Sequence, residues 1–205
     1  VAITYPRTLP TLPGIKKARL GLKFNVDTME SPISLQANHD IKAGHRWEGM
    51  FTYPKMSSAT AREWKAWFST MYGPAKTFYG FDPDIRYPLG SADSGSDTPL
   101  VNGASQVGTT IDTDGWRTSG TGVLLVGDHF SLGGELKIVT EQVNSDGSGE
   151  ATISFMPPIH SSPDNNSAIV FDSPTGIFRI DGLSVDWESN EFGHHDFAFA
   201  FVEVF

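Results

Sequence analysis

His194-His195-Asp196 and Asp128-His129 are two places in this 205-residue chain where imidazole and carboxylate side chains stand side by side. That pairing serves metal ligation and acid–base chemistry. Adjacent residues of an extended chain point to opposite faces, so one face of the first cluster receives only His194 and Asp196. An exposed turn before the last strand explains it more simply, and the same holds for Asp128-His129 after Gly127. Asp112-x-Asp114-Gly115 and Asn144-x-Asp146-Gly147 resemble pieces of calcium loops, but neither is followed by the spaced acids and terminal Glu of an EF-hand. Tight turns need the same Asx and Gly residues.

No G-x-S-x-G elbow, Walker loop or G-x-G-x-x-G after a strand occurs. With 24 acidic residues some carboxylate pair is always available for glycoside chemistry, so that possibility carries no signal. Trp116, in the Gly/Thr-rich stretch TDGWRTSG, is the exposed candidate for stacking on a sugar or anchoring a partner, with His129 as a hydrogen-bonding companion. Its simpler role is to cap a small β core. The sequence therefore predicts no catalytic residues, no metal and no cofactor, and a protein that is not an enzyme.

The elements that would position these residues are mostly strands. In ARLGLKFNVDTM (18–29), Leu20, Leu22, Phe24 and Val26 alternate with Arg19, Lys23, Asn25 and Asp27, the period of a half-buried strand. ISLQA (33–37) is expected to continue it or pair with it. HRWEGMFTYP (45–54) is a second strand. A helix follows over about 58–72, capped by Ser57 or Ser58, with a possible capping box at Thr60 and Glu63. Its Trp64, Trp67, Phe68 and Met71 fall at i, i+3, i+4 and i+7 and share one face. Gly73 suits the left-handed position that ends it, and Pro74 prevents continuation.

AKTFYGFDP (75–83) reads as a short strand leaving the helix. Residues 90–122 are dominated by Gly, Ser, Thr and Asp and read as loops with short strands near LVNG and VGTTID. Later strands are expected in VLLVGDHFSLGG, ELKIVTEQVN, EATISFMPPI, AIVF, GIFRI and LSVDW, with Pro157-Pro158 ending one of them. In DFAFAFVEVF (196–205), Phe197, Phe199, Phe201 and Phe205 occupy one face and Ala198, Ala200, Val202 and Val204 the other. Both faces are apolar, which predicts a central strand covered on both sides. The helix is expected on its alanine face, although the phenylalanine face is an equal choice.

The fold class that follows is mainly β: a sandwich or barrel domain with one packed α-helix, from residues 1–87 and 172–205, and a small inserted β domain over 88–171. A 39% hydrophobic content supports a real core, and the absence of cysteine excludes disulfides and thiolate metal sites. The net charge of −9 and the lack of a basic stripe argue against specific nucleic-acid binding. With no apolar run near 20 residues, no membrane anchor is expected, and the proline-rich opening VAITYPRTLPTLPG reads as an extended arm rather than a signal peptide. The reading is of a soluble protein.

The order of these pieces resembles a known family. RWEGMFTYPKMS (46–57), Trp64-x-x-Trp67-Phe68 and Phe78-x-x-Phe81-Asp82-Pro83 are similar to distal tail proteins and related baseplate hub components of siphophage-like, long non-contractile-tailed bacteriophages. So are Leu100-Val101-Asn102-Gly103-Ala104, Asp114-Gly115-Trp116, Val126-Gly127-Asp128, and Val143-x-Ser145-Asp146-x-x-Gly149-x-Ala151-x-Ile153 running into Pro157-Pro158. The resemblance implies a structural virion protein whose belt domain forms a ring, usually six-fold, at the tail tip. It implies contacts with further copies of itself, the tail tube and hub or baseplate proteins, with DNA passing through the ring. It also implies assembly in the bacterial host cytoplasm and brings no catalytic residues. Edge strands and the arm (1–14) would contact neighbouring subunits. Two rival readings are a carbohydrate-binding β-sandwich using Trp116 and His129, and a small hydrolase with a diffuse acidic site.

Overall fold

The computed structural model describes residues 2–189 and 194–205; Val1, the first residue of the expected arm, lies outside them. In chain order the early strands are β1 (Lys17–Lys23), β2 (Val26–Glu30), β3 (Ala37–Ile41), β4 (Arg46–Met56) and, after helix α1 (Ser58–Met71), β5 (Thr77–Gly80). Next come β6 (Leu100–Val101), β7 (Gly108–Asp114), β8 (His129–Leu132), β9 (Glu135–Val139), β10 (Ala151–Ile159) and β11 (Ile169–Val170). The last are β12 (Gly176–Ile180), β13 (Glu188–Ser189) and β14 (His195–Glu203). The molecule is mainly β with one α-helix among the described residues.

The first sheet runs β1-β4-β14-β12-β5, all antiparallel, with β13 beside β14. It thus takes strands from both ends of the chain. Register places Phe197 opposite Tyr53, Phe199 opposite Phe51 and Phe201 opposite Gly49. Gly49 is required there, because a Cβ would lie 2.4 Å from Phe201 Cζ and 2.7 Å from the Arg19 carbonyl oxygen.

Helix α1 covers the phenylalanine face, not the alanine face. Trp64 meets Tyr53 at 4.4 Å and Phe197 at 5.0 Å between ring centroids, Phe68 meets Phe199 at 5.2 Å, and Trp67 meets Phe78 at 5.5 Å. Trp64, Trp67, Phe68, Met71, Phe197, Phe199 and Phe201 are all buried in this core. Ala198, on the other side of β14, is exposed, so the strand is not covered along both faces. The alternation showed that both sides were apolar but not which one the helix would take.

Ser57 caps α1 by accepting the Thr60 N–H, so Thr60 and Glu63 are not needed as a capping box. The left-handed turn that ends the helix begins at Tyr72, one residue before Gly73. The arm lies along the helix and the β5 edge. Arg7 N–H donates to Thr77 O and Arg7 O accepts from Tyr79 N–H, which covers that edge. The Trp64 and Trp67 indole N–H groups donate to Leu12 O and Thr8 O, each at 2.8 Å.

The second sheet runs β11-β8-β9-β10-β7-β6. It then nearly closes on itself, because Val101 N–H reaches Ser167 O and Ile169 N–H reaches Pro99 O. The barrel-like result encloses Ile111, Leu124, Phe130, Ile153 and Phe155. Pro157 and Pro158 lie inside β10 rather than ending it; the ladder to β7 breaks register between Ser154 and Ile159, so neither missing N–H is asked for. Residues 183–187 are irregular instead of a strand. The expected continuous strand over 18–29 breaks at Phe24-Asn25, where Asn25 N–H donates to His45 Nδ1. Beyond the break β2 and β3 form a separate hairpin, and residues 33–36 are its tip.

Candidate functional site

Trp116 is not exposed. It is buried in the barrel core, stacked on Phe171 at 5.7 Å, with its indole N–H bonded to Thr113 Oγ1. The exposed role left open by its Gly/Thr-rich neighbourhood is not the one it has; it caps the small β core, because Trp116 N–H pairs with Gly149 O and folds the turn over it. His129 is 2% exposed on β8, its ring 5.4 Å from that of Trp47. Burial lowers its pKa, against the opposing pull of Asp82 and Asp128. Neither side chain offers a face to a sugar, and the structure does not bring the two together.

Asp128 accepts the N–H groups of Leu89, Gly90 and Leu125 and organises a loop. His195 opens β14, with its Nε2 3.4 Å from Ser58 Oγ, and His194 precedes it. Asp146 Oδ1 accepts from Ser148 and Glu150 N–H, the work of a turn residue. Asp112 and Asp146 do line one shallow surface hollow with Asn102 and Glu150. Among the described residues no group of three or more His, Asp or Glu is arranged to hold a metal.

The surface feature that stands apart is the β2–β3 hairpin. All ten of its strand residues are exposed, including Val26, Met29 and Ile41, and the tip adds Ile33 and Leu35. The outer edge of β1, next to it in the chain, has no strand partner among the described residues. Elsewhere the arm lies on the β5 edge and the second sheet curls back on itself.

No family model matches the chain, and no curated protein matches it.

Sequence reasoning missed a polar joint between the two sheets. Glu203, fully buried on β14, accepts Leu136 N–H at 2.8 Å through Oε1 and Trp47 N–H at 3.2 Å through Oε2. Trp47 Nε1 donates to Leu136 O at 2.7 Å. Beside it, buried Lys137 bonds Glu135 at 2.5 Å and Pro158 O at 2.8 Å, while Glu135 also accepts the N–H groups of His160 and Ser161. Burial pushes the Glu203 pKa up to about 7, against the two N–H donors and the Lys137 charge. Burial also acts to raise Glu135, but Lys137 and the two N–H donors outweigh it and hold that carboxyl below its ordinary value. Lys137 is lowered by burial, against the pull of Glu135 and Glu203. Each group is engaged by the other sheet or its own strand, as in a structural fastening. The signal was present in the sequence as a lone carboxylate within the apolar run FAFAFVEVF.

Proposed function

We propose that this chain is a structural virion protein that assembles into a ring at the distal end of a phage tail. There it would link the tail tube to hub and receptor-binding proteins. The observation that carries the proposal is the hairpin over residues 26–41, a two-stranded ribbon with exposed apolar side chains. Two strands alone are marginally stable in water, and an exposed apolar ribbon is what a neighbouring subunit would cover. The residues that motivated the glycan-binding alternative, Trp116 and His129, are interior, and nothing in their geometry favours it. A net charge of −9 suits a ring whose lumen DNA must cross without adhering.

The test is to charge the tip. Ile33→Asp and Leu35→Asp both alter exposed residues, so the fold should persist with unchanged thermal unfolding. Self-association measured by sedimentation should weaken by tenfold or more. Unchanged self-association in both variants would refute the role given to the hairpin.

A further inference from the structure

A cavity of about 500 Å³ lies between the arm and the first sheet. Leu9 and Pro13 form one wall, Tyr53, Tyr79 and Phe81 the other, and Arg86 closes it. The arm wall is fixed by the Trp64 and Trp67 indole bonds, so the pocket is preformed. Arg86 lies 4.2 Å over the Phe81 ring and has no ion pair or side-chain hydrogen bond among the described residues. Its Nη1 is sealed from solvent with no acceptor. A guanidinium at the edge of an apolar pocket favours a carboxylate carried on an apolar body. Among the described residues the fold delivers no carboxylate to Arg86.

The hairpin tip has the complementary character. Ser31 N–H bonds Gln36 O, Leu35 N–H bonds Ser31 O at 2.9 Å, and Ser34 N–H reaches Ser31 Oγ, so the tip is closed on itself. Leu35 is held at φ 56°, a costly conformation for a bulky side chain. Ile33 is 95% exposed and Leu35 73%, with the exposed Glu30 carboxylate at the base of the same loop. None of these residues lines the pocket of its own chain.

We propose that the hairpin tip of one copy seats in the arm-walled pocket of the next. Ile33 and Leu35 would then fill the aromatic and proline walls, and Glu30 would pair with Arg86. This inference rests on the ring reading. It also gives that reading a direction, because a knob and a pocket on different parts of one surface associate head to tail, which yields rings when the rotation closes.

The absence of native cysteine allows a clean test on the full chain. Ile33→Cys and Tyr79→Cys proteins are mixed, oxidised and run without reductant, with each single variant alone as control. Thr11→Cys on the arm wall replaces Tyr79→Cys if that variant unfolds. The mixture should give at least fivefold more cross-linked dimer than either variant alone. Glu30→Arg or Arg86→Glu in the respective partner should abolish that excess, and the two reversals together should restore it. Rings of wild-type chain without the cross-link would overturn the pocket while leaving the ring reading intact. The cross-link with its charge rescue, but without rings, would uphold the pocket and sink the ring. Neither rings nor cross-link would end both.

Discussion

Glu203 is where one side chain decides the most. In the folded chain its pKa is about 7, against about 4.5 when exposed, so the folded state holds a proton that the unfolded state has released across that window. Its contribution to stability therefore falls as pH rises from about 4.5 through about 7, by up to about 3 kcal/mol. His129 and His160, both lowered by burial, act oppositely in part of the same range, since the unfolded state takes up their protons first. The difference between wild type and Glu203→Gln isolates the carboxyl. We expect denaturant unfolding to show that difference shrinking as pH rises from 5 to 8. At pH 5 the Gln variant should be weaker by about 1–3 kcal/mol, because its amide N–H₂ faces one of the two backbone donors. A difference that does not change with pH would contradict the assignment.

At the scale of elements, the tryptophans of α1 have two tasks: their rings fill the core and their N–H groups fasten the arm. Trp64→Phe and Trp67→Phe keep an aromatic ring but remove the donor. Each should cost about 0.5–1.5 kcal/mol for its hydrogen bond, plus the loss of ring volume. Limited proteolysis should reach the arm near Leu12 at least several-fold faster in the double variant, and an unchanged cleavage rate would show that the arm is held by other means. The helix itself was legible because Trp64, Trp67, Phe68 and Met71 repeat at helical spacing. The packing side was not legible, since β14 offers phenylalanines on one face and small apolar residues on the other. Nor was the hairpin separable from β1, because alternation runs through Phe24-Asn25 and the break depends on a hydrogen bond to His45, twenty residues away. Strand β10 was legible in EATISFMPPI, but its run through Pro157-Pro158 was not: a proline pair normally stops a ladder, and here a register break removes the demand for the missing donors.

Over the whole molecule, the mainly β character followed from strand periodicity, and the first sheet draws β1, β4 and β5 from the first part of the chain together with β12, β13 and β14 from the last. The pocket beside Arg86 was invisible because it gathers residues from the arm, β4, β5 and the loops that flank them. Trp116 takes the simpler of its two roles, capping the small β core, while the loop-like composition around it is what kept an exposed role open. Among the described residues, the hairpin and the β1 edge, both within residues 17–41, are left without a strand neighbour on their outer sides. A subunit with an exposed apolar projection and a preformed pocket elsewhere on its surface is suited to repeat around an axis. The most direct measurement is light scattering with negative-stain imaging of the full chain across a concentration series, alone and mixed with phage tail tubes. The account predicts closed rings, with a mass approaching six copies, that dissociate on dilution. A single-copy mass at every concentration, with no rings alone or on the tubes, would contradict it.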